Sequence, residues 1–280
     1  MFFTQNKRRL AFCGAAFCMI ALFLLTGCGP RPVEGLEVRI LDVGQGDAAL
    51  IRTAEASLLI DAGPNAAEEE LCAALTALGL KQIDTVIFTH PDEDHIGGGD
   101  LLLERFAVGT IYLSPATSEE SSFTRLLEAA ARSGAAVRVG KAGERFALGG
   151  AAVTLLAPSA AYNDANNASI VTRIDYGATS TLFMGDAEVE AEAALLAAHA
   201  DLHVDLLKLG HHGADTSTTD ALLDAVQPRF AAISCGKANT YGHPARRVID
   251  ALTARGIAIG RTDREGMLVY HSDGAKLWRE

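Results

Sequence analysis

Between Thr89 and Gly98 the chain reads Thr-His-Pro-Asp-Glu-Asp-His-Ile-Gly-Gly, directly after the largely apolar run Ile83 to Phe88. The run has the length and composition of a buried strand. A strand that empties into such a loop presents polar side chains outside the end of a sheet. His90, Asp92, Asp94 and His95 stand within six residues, with Glu93 between the two aspartates. Carboxylates crowded in this way repel one another unless a cation or water offsets their charge. The economical reading is a metal site, and a pair of metals rather than one.

Similar residues recur at other strand ends. Ser57 to Ile60 runs into Asp61, Ser180 to Met184 into Gly185-Asp186, and Val204 to Leu209 into His211-His212-Gly213. Leu36 to Val43 reads as a strand ending in a glycine-punctuated turn, Asp42-Val43-Gly44-Gln45-Gly46-Asp47, and Ala48 to Arg52 as the next strand. In that turn Asp42 and Asp47 either fix the backbone or touch substrate. Helical spacing is expected over Glu68 to Leu80, Asp100 to Phe106, Ser122 to Arg132, Val189 to His199, Thr219 to Val226 and Arg246 to Arg255. In the third of these Phe123, Leu126 and Leu127 face inward. Strand-only runs mixed with βα units point to a layered α/β sandwich. No fixed-period repeat and no Pro- or Ser-rich interior linker divides the chain, so one domain is expected.

The N-terminal stretch reads as a targeting segment. Lys7-Arg8-Arg9 precedes an apolar run from Leu10 to Leu25, which is shorter than the ~20 residues of a spanning helix. Leu25-Thr26-Gly27-Cys28 resembles the lipobox of bacterial lipoproteins. That resemblance implies removal of residues 1–27, a lipid anchor on Cys28, a tether over 28–35 and a domain over 36–280. The location implied is the outer face of the bacterial cytoplasmic membrane. Cys72 and Cys235 then remain as two free, buried thiols, since their spacing fits no zinc ribbon or CxxC pattern.

The formal charge of −11 becomes −14 when Lys7, Arg8 and Arg9 leave, with 21 basic residues against 35 acids. Such a chain is a poor general binder of polyanions. From Arg229 onward, however, nine Lys and Arg face five Asp and Glu. Any phosphate-bearing substrate is expected to meet this part.

Asp61, the His90–His95 cluster, Gly185-Asp186 and His211-His212-Gly213 together resemble the metallo-β-lactamase superfamily, a four-layer αββα sandwich. More narrowly, Leu41 to Asp47, Asn166-Asn167-Ala168-Ser169, Gly185 to Glu188 and Asn239-x-Tyr241-Gly242-His243-Pro244 are similar to the hydrolase part of the competence protein ComEC group. The resemblance implies one ion at His90 and Asp92, a second at Asp94, His95 and His212, and Asp186 bridging. Zinc ranks first, and the carboxylate-rich set also admits manganese. Asp61 would orient the cluster. A water activated by the metal pair would be the nucleophile. Asp94, His211 and His243 form the implied catalytic set, with Lys208, Asn167, Ser169 and Lys237 toward the substrate.

Two departures shape the expectation. Asp92 stands where the superfamily commonly has a second His, and the third-motif His is absent around Asn167 and Ser169. A phosphodiester, including DNA, is therefore expected over a β-lactam, and the activity is that of a metal-dependent phosphodiesterase or nuclease. Two other readings stand beside it. One is a phosphodiesterase for cell-wall or lipid head groups; the other is a lipid-tethered binding protein without turnover. Oligomeric state is not legible. His199, His203 and His271 belong to no motif, and Trp278 reads as a core or edge residue.

Overall fold

The computed structural model describes residues 33–199 and 201–280. The signal segment, Cys28 and most of the tether lie outside the described residues. The chain begins with β1 (Leu36–Ile40), β2 (Ala49–Arg52) and β3 (Ser57–Ile60), then α1 (Glu68–Ala77) and β4 (Gln82–Phe88). One helical turn, α2 (Glu93–Ile96), leads into α3 (Gly99–Arg105), β5 (Ala107–Leu113), α4 (Ser121–Ser133) and β6 (Ala136–Val139). The second half supplies β7 (Arg145–Leu148), β8 (Ala151–Leu155), β9 (Thr172–Tyr176), β10 (Thr179–Phe183) and α5 (Val189–Ala198). It continues with β11 (Leu206–Lys208), α6 (Asp220–Val226), β12 (Phe230–Ile233), α7 (Arg246–Ala254) and β13 (Ala258–Arg261). The short α8 (Thr262–Glu265) and the pair β14 (Leu268–Ser272) and β15 (Leu277–Arg279) close the chain.

Two sheets result. The eight-stranded one has the order β15-β14-β1-β2-β3-β4-β5-β6, and the seven-stranded one β13-β12-β11-β10-β9-β8-β7. Three apolar layers hold them. Ile40, Ile51, Leu58, Val153, Ile174 and Phe183 fill the space between the sheets. Leu71, Leu75, Leu102 and Leu126 pack α1, α3 and α4 on the outer face of the first sheet. Leu195, Leu222, Leu223, Val248 and Leu252 do the same for α5, α6 and α7 on the second. This is the expected four-layer αββα sandwich.

Local chemistry explains the details. β4 is parallel to both β3 and β5, and its last four residues are all buried, as a strand covered on both faces should be. In α4 the buried positions are Ser122, Leu126, Ala129 and Ala130, a single stripe at helical spacing. Leu127 lies one residue, about 100°, off that stripe. It is 40% exposed, which corrects its inward assignment. Both Cys72 and Cys235 are buried free thiols. The turn α2 carries no apolar repeat over its four residues, so no pattern announced it. Trp278 lies on the edge strand β15 and stacks on His271. No helix among the described residues is long and apolar enough to cross a membrane.

The sandwich matters for function because it gathers strand ends. The loops after β1, β3 and β4 come from the first sheet. Those after β10, β11 and β12 come from the second.

Candidate metal centre

Asp61 leaves β3 with φ 60°, a left-handed conformation that Asp tolerates better than most residues. Its carboxylate accepts hydrogen bonds from the Thr89 backbone N–H at 2.7 Å and from Thr89 Oγ1 at 2.8 Å. It also accepts from His95 Nδ1 at 2.8 Å. Binding the Nδ1–H in this way fixes the tautomer and leaves His95 Nε2 with a free lone pair. The structure thus places Asp61 behind the cluster, where the sequence reading set it.

Asp186 sits at the centre. Gly185 before it has φ 54°, and a Cβ there would fall 2.9 Å from Thr89 and 3.0 Å from Ser169, so only glycine lets this turn close on the His90 loop. Ser169 Oγ accepts the Asp186 backbone N–H at 3.0 Å. Asp186 Oδ1 is 3.1 Å from His95 Nε2. Its Oδ2 is 3.9 Å from His90 Nε2 and 3.8 Å from both His211 Nε2 and His212 Nε2.

The two histidines after β11 face different ways because His211 and His212 both adopt positive φ, 47° and 54°. Consecutive non-glycine residues there store strain of about 1–2 kcal/mol each, a feature common at functional sites. His212 Nε2 lies 3.1 Å from Asp94 Oδ2, and its Nδ1 reaches the Ser234 carbonyl at 3.0 Å. His211 Nδ1 reaches Glu188 Oε1 at 2.8 Å, and Thr216 Oγ1 donates to the same oxygen at 2.6 Å. Glu188 therefore turns His211 Nε2 toward Asp186. His90 Nε2 is 3.7 Å from Asp92 Oδ2. All six expected ligands, His90, Asp92, Asp94, His95, Asp186 and His212, gather around Asp186, with Asp92, Asp94, Asp186 and His212 lining one cleft.

Asp47 joins them. Ligand atoms of Asp47, His95, Asp186 and His212, all buried, lie within 4.8 Å of one another. Asp47 arrives there because Gly46, with φ 147°, packs its backbone on the Asp94 carbonyl, where a Cβ would fall at 2.3 Å. The Asp47 N–H donates to that same carbonyl at 3.1 Å. Asp42, by contrast, only fixes the turn, accepting from the Gly44 N–H at 3.3 Å.

Two observations show that these residues fit a cation. First, Asp47 Oδ1, His90 Nε2, His95 Nε2 and Asp186 Oδ1 are buried without a hydrogen-bond partner. Unpartnered buried groups are rare unless something else satisfies them. His95 Nε2 and Asp186 Oδ1 are close yet not aligned as donor and acceptor, as two ligands of one ion would be. Second, the charge is unbalanced. Burial alone would lower the His212 imidazole, but the charges of Asp186 and Asp47 and the contact with Asp94 push it up to about 10. Burial likewise opposes ionisation of His95, yet Asp186, Asp61 and Asp94 raise it well above the ordinary imidazole value. Asp186 is held well below the usual carboxylate range against its burial by His95 and His212. The carboxylates draw positive charge onto the imidazoles, the charge a divalent ion would supply.

The residues expected to meet substrate have other partners. Lys208 is 3% exposed, and its ammonium donates to Asp47 Oδ2 at 2.5 Å and to the Leu209 carbonyl at 3.1 Å. Asn167 is buried; its Oδ1 accepts the Glu188 and Ala191 N–H groups at 3.2 and 2.9 Å, holding the start of α5. Ser169 is fully buried and binds the Asp186 backbone. Lys208 and Ser169 are thus engaged with cluster residues and Asn167 with the start of α5, and none of the three lines the cleft. Lys237 is exposed but does not line the cleft. His211 and His243 do line it, with ring centroids 5.4 Å apart. Burial and the neighbouring His211 and His212 lower the His243 imidazole.

The cleft measures about 260 Å³, and its acids are Asp92, Glu93, Asp94, Glu120 and Asp186. No lysine or arginine lines it. Five of the nine C-terminal cations are paired elsewhere within 3.0 Å: Arg246 with Asp250, Arg247 with Asp215, Arg255 with Asp220 and Asp224, Arg261 with Asp263, and Arg279 with Glu265. The part of the chain after Arg229 reaches the cleft through Tyr241 and His243, not through its lysines and arginines.

Comparison with known proteins agrees with the geometry. A family model described as the metallo-beta-lactamase superfamily matches residues 41–237. ComE operon protein 3 of Bacillus subtilis is 32% identical over 272 residues, covering 90% of this chain and 35% of that protein. Competence protein ComA of Neisseria gonorrhoeae is 34% identical over 242 residues, covering 85% of this chain and 33% of that protein. The chain thus spans about a third of the length of these relatives. Among solved structures, the metallo-beta-lactamase fold protein YhfI from Bacillus subtilis superposes with a TM-score of 0.56 at 12% identity, covering 83% of this chain and 98% of that one.

Proposed function

Because the chain belongs to the metallo-beta-lactamase superfamily and has relatives among the competence proteins of the ComEC group, we propose that it is a metal-dependent phosphodiesterase acting on nucleic-acid diesters. The observation that carries this reading is the convergence of four buried, unpartnered ligand atoms on Asp186 and its neighbours. In this reading His90 and Asp92 hold one divalent ion and Asp94, His95 and His212 a second. Asp186, close to His90, His95 and His212, would contribute to both groups. Zinc is the first choice and manganese the second. Bound ions supply Lewis acidity, which acidifies water and offsets charge developing at phosphorus.

The chain's own residues do the rest. Asp61 holds His95 in one tautomer, Glu188 aims His211, and Ser169 fixes the Asp186 backbone. His211 and His243 line the open side, where they can hydrogen-bond to substrate oxygens or pass a proton to the leaving group. Asp92, carrying a carboxylate where an imidazole is common, favours phosphorus chemistry over β-lactam cleavage.

A second reading has one observation behind it. The acid-lined cleft, without a basic side chain, suits a small cell-wall or lipid head-group diester better than a long polyanion. The test uses the purified full chain with Zn²⁺ or Mn²⁺ against single-stranded DNA, duplex DNA, dinucleotides, glycerophosphodiesters and a β-lactam. Metal-dependent cleavage of the nucleic-acid diesters, abolished by chelator, is expected. Cutting of glycerophosphodiesters alone would favour the second reading, and no diester cleavage under either metal would end both.

The same proposal sets the protein at the outer face of the bacterial cytoplasmic membrane, held by lipid on Cys28. Its support is the order of basic residues, apolar run and Leu25-Thr26-Gly27-Cys28. Cells fed labelled palmitate should label the protein but not its Cys28→Ala variant. Label persisting in the variant would remove the anchor.

A further inference from the structure

The loop between β12 and α7 carries an aromatic ring that neither the metal cluster nor the fold requires. Among the described residues seven large hydrophobic side chains are exposed, and Tyr241, at 72%, is the most open. A single exposed apolar residue needs no explanation by itself. This one lines the cleft of the metal centre. Its ring stacks on His243, with centroids 5.8 Å apart and planes 27° apart. His243 in turn stacks on His212, at 6.2 Å and 24°. The three rings form a ladder from the open mouth to the cluster.

The loop is also braced. Gln45 Oε1, from the turn after β1, accepts the Gly236 N–H at 3.0 Å. Asn239 donates from Nδ2 to the Gly236 and His243 carbonyls at 3.0 and 2.7 Å and accepts the His243 N–H at 3.0 Å. An apolar ring held in water by a tied loop, rather than folded against the core, offers a preformed face to a ligand.

We propose that Tyr241 is a stacking platform for the nucleobase next to the scissile phosphodiester, so that the cleft selects single-stranded or terminal nucleotides over duplex. The inference deepens the phosphodiesterase reading and rests on it. Every base has a π-face, so an exposed aromatic ring can hold a base whatever its identity. Apart from the metal-ligating Asp92, Asp94 and Asp186 the cleft carries Glu93 and Glu120 and no lysine or arginine, so phosphates beyond the one at the metals find no cation to gather them. Its volume of about 260 Å³ lies just under the ~300–1,000 Å³ of small-molecule pockets, room for about one nucleotide.

The test compares the thymidine dinucleotide TpT with the same diester lacking the base on one sugar, by calorimetric titration and by cleavage, using the full chain with metal. TpT should bind about tenfold more tightly than the better-bound abasic analogue in the unaltered protein and in Tyr241→Trp. In Tyr241→Ala that preference should vanish, with KM for TpT rising about tenfold and kcat changing less than twofold. Tyr241 is exposed, so the variant should fold, and unchanged melting checks this. Base preference surviving in Tyr241→Ala, equal binding of the diesters to the unaltered protein, or no binding of either would overturn the platform. A base preference that depends on Tyr241 without any cleavage would leave the platform standing and end the phosphodiesterase reading.

Discussion

Asp186→Asn is expected to empty the centre of metal and to lower phosphodiester turnover on the order of a thousandfold or more. Removing a group that merely orients a ligand costs roughly 10–100-fold in metal affinity or activity. Asp186 is central to the cluster itself: its two oxygens stand 3.1 Å from His95 and 3.8–3.9 Å from His90, His211 and His212. Asparagine keeps the size and leaves the backbone N–H to Ser169, so the turn after β10 should hold its shape. What it loses is the charge and one acceptor oxygen. Metal analysis after dialysis is the direct measurement, with thermal melting in added Zn²⁺ or Mn²⁺ beside it. A ligand that binds only the folded state raises stability by RT ln(1 + [L]/Kd), so the unaltered protein should melt higher with metal while the variant barely responds. Ser169→Ala, which loosens the same carboxylate without removing it, should fall between the two. If Asp186→Asn kept its metal and its turnover, the two-sided role assigned to this carboxylate would be wrong.

Most of the cluster could be found in the sequence because its members follow strand signals, whereas Asp47, at the end of a turn before β2, could not. His90, Asp186 and the His211-His212 pair all lie just beyond apolar runs, and strand ends are where an α/β sandwich puts its chemistry. Asp61 was legible for the same reason. Lys208, Asn167 and Ser169 were misread because a polar residue near a motif looks alike in sequence whether it meets substrate or is held by the fold. Only the meeting of β1 and β11 ends, from different sheets, shows that Lys208 belongs to Asp47. The C-terminal surplus of lysines and arginines has a different distribution in space than along the chain. A count along the chain cannot see that Asp215, Asp220 and Asp224, which precede that segment, fold against Arg247 and Arg255. Leu127 failed because an amphipathic stripe is narrow, and one residue's shift turns a side chain to solvent. Tyr241 was visible as part of a motif, but nothing in the sequence told that its ring would stand in water beside the metals.

Lys208→Met should be among the most destabilising single changes outside the hydrophobic layers. Lys208 and Asp47 are both nearly inaccessible, 3% and 5% exposed, and their charged atoms are 2.5 Å apart. Methionine preserves much of the lysine's shape but strands the Asp47 carboxylate in a buried site. Breaking such a pair from one side costs about 3–5 kcal/mol. For a domain of this size that is roughly 6–20 °C in Tm. Neutralising both partners in Asp47→Asn/Lys208→Met should recover more than half of the loss, because no uncompensated charge then remains. The metal adds a sharper test. The remaining partner of Asp47 is the His212 ring, with Nδ1 at 3.2 Å from Oδ1, and Oδ1 lies within the metal-ligating cluster. If a cation in that cluster shares the Asp47 charge, the Lys208→Met penalty shrinks in metal-loaded protein relative to metal-free protein, and this is the expected result of paired melting curves. An equal penalty in both states would make Asp47 a counter-ion for Lys208 alone. A single variant that loses less than about 1 kcal/mol, or a double variant no better than the single, would mean that the buried pair does not hold the two sheets' loops together.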